Sequence, residues 1–281
     1  MSAAREITLD ELPRHSPWPA RLLGLEAAGR EPRTAASVLR EYDRDKYAPL
    51  LAAVEREPGM SVEDVKRLEL GDPGTPVVMS EGDRLLLVPA AEAVRRSVDT
   101  VTALVAEQAA GTGAVVDLGC GYGYQLAQLA PVLAGVRLLG GEYAPSAVAL
   151  AGRLHAGDGI AVEEFDFLAG RPGPLARAEN ALVLLSYVLT TVPDVAAAVE
   201  LLAAQRDRIG RVVVFDADRS LFGDGLLGLL RRRYVEVNDY RCELLDVLRA
   251  RTDVTIERVD ADVIGPNALL PASVIVFRFE P

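Results

Sequence analysis

The chain has only two cysteines, Cys120 and Cys242. That is too few for a disulfide framework or a metal site of the usual kind. There are also only two histidines, His15 and His155. No long basic run occurs and the net charge is −11. This argues against nucleic acid as a partner, because phosphate binding needs clustered Lys and Arg. Long apolar runs are missing too. The longest, ALVLLSYVLTTV from Ala181, is too short to span a bilayer. The opening MSAAREITLDEL has no apolar signal core. No internal repeat and no low-complexity linker interrupts the chain. The expectation is a cytoplasmic protein that meets neither membrane nor nucleic acid. Half of the 281 residues are hydrophobic, enough for a sizeable core.

Residues up to about Gln108 read as mainly helical. PWPARLLGLEAAG has helical spacing, with Pro17 near its start and Gly29 near its end. TAASVLREYDRDKYAPLLAAVERE continues it, with Thr34 as N-cap and a kink expected at Pro49. Ser61 and Asp64 form a variant capping box. VVMSEGDRLLLV predicts a hairpin with Gly82 in its turn, and a long amphipathic helix follows from Pro89. GTG at Gly111–Gly113 is the best boundary, separating residues 1–110 from 111–281. Beyond it strands and helices alternate, which implies a parallel sheet with helices on both faces. The last two strands, VTIERVDADV and ASVIVFRF, are joined by too few residues for a helical crossover, so they should be antiparallel.

The stretch VVDLGCGYGYQLAQLA, from Val115, carries the strongest signal. A short buried strand ends at Asp117 and Leu118. The loop Gly119–Cys120–Gly121–Tyr122–Gly123 follows, and then a helix begins. Glycine tolerates positive φ and lets a ligand touch bare backbone, and the helix start presents free N–H groups there. Glu142 ends the next strand, about 20 residues on, where an acid is placed to bind a ribose diol. The ligand class is therefore a nucleoside derivative. The spacing is GxGxG rather than the GxGxxG of dinucleotide sites. Asp117 beside the loop suits a ligand whose exposed end is positive.

VVDLGCGYGYQLAQLA, LLGGEYAPSAVALA, EEFDF and LVLLSYVLTTVPD resemble the successive motifs of class I S-adenosylmethionine-dependent methyltransferases. The resemblance covers roughly Ala114 to the C-terminus. It implies a Rossmann-like, doubly wound sheet of seven strands, mostly parallel with an antiparallel last strand. S-adenosylmethionine would be the cofactor. Asp117, Gly119, Cys120, Gly121 and Gly123 would line its methionine end, Glu142 would hold the ribose, and Tyr143, Asp166 and Phe167 would meet the adenine. Ser186 and Tyr187, after the fourth strand of that sheet, would face the methyl group. NPPY- or DPPY-type chemistry has no counterpart here.

A small-molecule acceptor methylated on O or N, as in specialised metabolism, is the expected substrate, with an amino acid or peptide as the alternative. Tyr187, Asp216 and His15 are the candidate catalytic groups, with Asp218 beside them. His155 sits where a helix should end and is read as a cap. VNDYRCELL brings Asn238, Asp239 and Tyr240 into a polar cluster, either acceptor contact or exposed loop. The helical first part would cap the acceptor site, or serve as scaffold or homodimer interface. Two rivals remain: a non-catalytic binder of the same cofactor, and a nicotinamide oxidoreductase, for which a second mononucleotide-binding half is lacking.

Overall fold

The computed structural model describes residues 4–25 and 32–280. Strand β1 (Arg5–Ile7) comes first, then the short helices α1 (Trp18–Leu22) and α2 (Ala35–Leu39). The helix expected to run toward Gly29 stops at Leu22, and Gly29 itself lies outside the described residues. Thr34 caps α2, its hydroxyl accepting the Ser37 N–H at 3.1 Å. The helical path then widens to π spacing over Arg40–Tyr47 before α3 (Ala48–Arg56). This widening replaces the kink expected at Pro49. Proline has no N–H to offer the carbonyl four residues back. The N–H of Ala48 bonds Asp43 O instead, one residue further back than an α-helix would use. Helix α4 (Val62–Leu70) starts at the Ser61–Asp64 capping box, both halves of which form.

Strands β2 (Pro76–Glu81) and β3 (Arg84–Pro89) make the expected hairpin, with Gly82 at φ +60° in its turn. β1 adds to β3, giving a three-stranded sheet ordered β1-β3-β2. Three residues show too little alternation to mark β1 in the sequence. Helix α5 (Ala90–Gln108) leads to the second sheet. There β4 (Ala114–Leu118), α6 (Tyr124–Leu129), β5 (Arg137–Glu142), α7 (Pro145–Leu154), β6 (Ile160–Glu164) and β7 (Ala181–Ser186) follow in turn. Next come α8 (Val195–Ala203), β8 (Ile209–Asp216), α9 (Leu226–Val237), α10 (Leu244–Arg249), β9 (Val254–Ile264) and β10 (Ala272–Phe279).

The large sheet has seven strands in the order β6-β5-β4-β7-β8-β10-β9. β6, β5, β4, β7 and β8 are mutually parallel, whereas β10 is antiparallel to both β8 and β9. The final pair is antiparallel as expected, and β10 inserts between β8 and β9. The order reverses between β4 and β7, so the carboxyl ends of these strands flank a crevice.

Alternation along β4 feeds two cores. Val116 and Leu118 pack with α8 and α10, while Val115 packs on the opposite face with α5 and α6. That second core also takes Met79, Leu86 and Val88 from the hairpin, so the small sheet and the large one share a hydrophobic cluster. A polar clasp strengthens the junction. Ser80 and Gly265 exchange backbone hydrogen bonds at 2.8 Å. The fully buried Arg231 bonds the carbonyls of Gly82 and Ala268 and the carboxylates of Asp83 and Asp262. Among the described residues no helix is long and apolar enough to cross a membrane.

Candidate functional site

β4 is buried along its whole length, and it delivers Asp117 and the following loop to the crevice. Gly119, Gly121 and Gly123 all adopt positive φ, at +83°, +57° and +80°. Side chains also close on them. A Cβ on Gly119 would run into Val188, one on Gly121 would lie 2.6 Å from the Tyr47 hydroxyl, and one on Gly123 2.9 Å from His155 Nε2. The glycines are therefore required by backbone conformation and by close packing together.

The loop is tied down by its neighbour β5. Gly119 donates to Gly141 O at 2.7 Å. Glu142 Oε2 accepts the Gly121 N–H at 2.7 Å and Oε1 accepts the Ala144 N–H at 2.8 Å. Burial raises the Glu142 pKa, against the opposing effect of these backbone bonds. Asp117 is only 2% exposed, and its carboxylate receives no hydrogen bond among the described residues. Desolvation, reinforced by the Glu142 charge, pushes its pKa up to about 7.

Tyr143 and Asp166 border a cleft of about 60 Å³ with Phe167, Val188, Thr191, Ala35 and Val38. Phe167 packs edge-on against Phe165 with centroids 4.8 Å apart. β6 ends at Glu164, so Asp166 and Phe167 lie in the loop beyond the strand. There Asp166 accepts the Leu168 N–H at 2.8 Å.

No family model and no curated protein matches this chain. Solved structures do. Geranyl diphosphate C-methyltransferase from Streptomyces coelicolor A3(2), solved with Mg2+, geranyl diphosphate and S-adenosyl-L-homocysteine, superposes with a TM-score of 0.50 at 12% identity, over 68% of this chain and 83% of that one. The chain has the class I methyltransferase fold. An O-methyltransferase family protein from Burkholderia thailandensis aligns with a TM-score of 0.48 at 16% identity, over 66% of this chain and 56% of that one. The [4+2]-cyclase SpnF aligns at 0.47 and 16% identity, over 65% and 80%.

Within this methyltransferase fold, Asp117, the glycine loop with Cys120, Glu142 and the Tyr143–Asp166–Phe167 cleft gather along the carboxyl ends of β4, β5 and β6. Ser186 ends β7, half-buried. Of the three candidate catalytic groups, Tyr187 and Asp216 come near each other at the carboxyl ends of β7 and β8, and His15 does not join them. Tyr187 takes φ +53° and turns its ring edge-on to Phe215, with centroids 5.4 Å apart. Its hydroxyl lies 3.5 Å from both Ser97 Oγ on α5 and Ile264 O, and burial raises its pKa. Asp216 is held by backbone, accepting from Thr190 N at 3.2 Å and Ala217 N at 2.8 Å. Burial lifts its pKa to about 6, against those bonds. His15 lies apart from them. Its Nε2 lies 3.3 Å from Arg5, and the ring lines a separate cleft with Trp18, Val77 and Asn267, among which no glycine-loop residue appears. Its short 3-10 turn packs on the small sheet and carries it there. Asp218 is a turn cap, accepting from Ser220 N and Leu245 N. His155 sits at the C-cap of α7, but its ring bonds Tyr122 O at 2.8 Å, bracing the glycine loop.

A π-helical segment that no local sequence signal announces lies over the site. Tyr47 packs edge-on to Tyr122 with centroids 6.2 Å apart, and Asp43 accepts the Ser146 N–H at the start of α7. Glu69 joins Lys46, Lys66 and the Tyr122 hydroxyl, each within 2.9 Å. Burial opposes Glu69 ionisation, but the two lysines outweigh it and hold its carboxyl at about 2. REYDRDKY reads as a solvated helix face, and no local signal distinguishes Tyr47 within it.

Proposed function

We propose that this protein is an S-adenosylmethionine-dependent methyltransferase acting on an O or N atom of a small molecule. The observation that carries the reading is Asp117, a buried carboxylate without a donor among the described residues, beside three glycines of positive φ. Buried charges need a partner, and a ligand bearing ammonium and sulfonium charge supplies one. The residues present fit such a group. Asp117 would balance the cationic end, the glycine loop would let it approach the backbone, and Tyr143, Asp166 and Phe167 would hold the adenine. Glu142 would serve the ribose while still anchoring Gly121. The antiparallel β9–β10 pair favours this reading over a nicotinamide enzyme, since it stands where a second mononucleotide-binding half would continue the parallel sheet.

The bound cofactor supplies a methyl group already activated for displacement. What the chain contributes is alignment and exclusion of water. Tyr47 and the π-helical segment cover the loop, and α2 walls the adenine cleft. Tyr187 and Asp216 are engaged by other protein groups and His15 lies elsewhere. This supports an acceptor atom that is nucleophilic without a protein base.

Calorimetric titration of the intact protein with S-adenosylhomocysteine tests the proposal. Binding in the micromolar range, abolished by Asp117→Ala, is expected. No heat of binding with a folded sample would rule it out.

A further inference from the structure

Buried arginines in this protein are treated in two different ways. Arg231 spends Nε, Nη1 and Nη2 on carbonyls and carboxylates, as a structural arginine should. Arg33 does not. Only 4% of its side chain is exposed, yet among the described residues Nε, Nη1 and Nη2 all lack a hydrogen bond. Its guanidinium lies over the Tyr240 ring at 4.6 Å. Glu41 comes within 3.3 Å of Nη2 without hydrogen-bond alignment, and its own side chain is 45% exposed. Arg241 shares the pattern in part: its side chain is 37% exposed, but among the described residues its Nε is buried and without a hydrogen bond. The two meet at Asp239, which accepts the Arg33 backbone N–H at 2.8 Å and lies 3.6 Å from Arg241 Nη2.

Both arginines belong to elements of the proposed site. Arg33 immediately precedes Thr34, the cap of α2, and that helix contributes Ala35 and Val38 to the adenine cleft. The Arg241 N–H bonds Thr190 O in the loop after β7, where an acceptor would dock. An arginine with unspent planar donors matches a carboxylate, which takes two parallel N–H bonds.

We propose that Arg33 and Arg241 form a subsite for a carboxylate carried by the acceptor, beside the flat face of Tyr240. The carboxylate takes the place of Glu41 on Arg33. With Asp239 retained, the two guanidinium groups leave one positive charge to be matched. A singly charged carboxylate fits that balance, whereas a phosphate dianion exceeds it. The methyltransferase reading is needed only for naming the ligand an acceptor; the subsite itself stands apart from it.

Saturation-transfer NMR with benzoate and its neutral isostere benzamide tests this on the full chain, with S-adenosylhomocysteine affinity measured by calorimetry on the same samples. Wild type should bind benzoate at least tenfold more tightly than benzamide. Arg33→Met should remove that preference, Arg33→Lys should keep part of it, and Arg241→Met should weaken it several-fold. Equal binding of the two probes to wild type, or an unchanged preference in folded Arg33→Met or Arg241→Met, overturns the subsite. The comparison of probes on wild type stands even if a variant does not fold. Benzoate preference without S-adenosylhomocysteine binding supports the subsite and removes the methyltransferase reading instead.

Discussion

The carboxylate of Glu142 accepts the backbone N–H of Gly121 at 2.7 Å, linking the end of β5 to the loop that follows β4. One side chain thereby sets the position of the glycine loop and stands at its open edge. The same residue bonds the Ala144 N–H, so both its oxygens are engaged at backbone donors. Glu142→Gln should lower S-adenosylhomocysteine affinity at least tenfold and destabilise the fold by about 1–3 kcal/mol, because the amide NH2 would face an N–H. Calorimetry and urea unfolding measure the two effects separately.

Gly121→Ala meets two obstacles. The residue sits at φ +57°, and its Cβ would lie 2.6 Å from the Tyr47 hydroxyl. The backbone strain alone costs about 1–3 kcal/mol. Adding Tyr47→Phe removes the nearest atom and should recover part of the loss, leaving the φ penalty. A double-mutant cycle by urea unfolding reads the coupling; strict additivity would show that the two residues do not touch.

Asp117 should give stability an unusual pH dependence. An aspartate in an unfolded chain titrates near ~3.9, but this one titrates near about 7 in the fold. Between those values the folded state keeps a proton that the unfolded state has released. Its contribution to stability is therefore full below about pH 4 and falls as pH rises toward 7. Asp216 and Asp262, each raised to about 6, act in the same direction. Subtracting the stability curve of Asp117→Asn from that of wild type isolates the one group, and the difference should decline from pH 4 to 7. Affinity for the cationic cofactor should move the opposite way, rising as Asp117 ionises.

Arg231 clasps the β2–β3 hairpin to the strand ends at Asp262 and Ala268. Arg231→Met should cost about 3–5 kcal/mol, since it strands the buried Asp262 charge. Arg231→Met combined with Asp262→Leu should recover part of that cost. Thermal melts of both variants, with limited proteolysis of the hairpin, check it.

Much of the large sheet was legible in the sequence. AVVDL reads as a buried strand because all five of its residues are indeed enclosed, and Gly119, Gly121 and Gly123 punctuate it through turn chemistry that acts within a few residues. The short link before ASVIVFRF correctly implied an antiparallel pair. Where local pattern was weak, reading fell short. β1 is three residues long, and the π widening before Pro49 falls in a charged stretch where only Tyr42 and Tyr47 could mark a period.

Strand order along the chain, helix caps at Thr34 and Ser61, and the glycine turns after Leu118 were determined by sequence alone, since each depends on interactions between near neighbours. Tertiary structure decided the rest. It set Tyr47 on Gly121, left Asp117 without a donor among the described residues, tied Asp216 to the Thr190 backbone, carried His15 to another cleft and brought Arg33 near Arg241 through Asp239. These relations join residues far apart in the chain, and only the packing of a shared core determines which distant groups meet and which buried polar atoms stay unpaired.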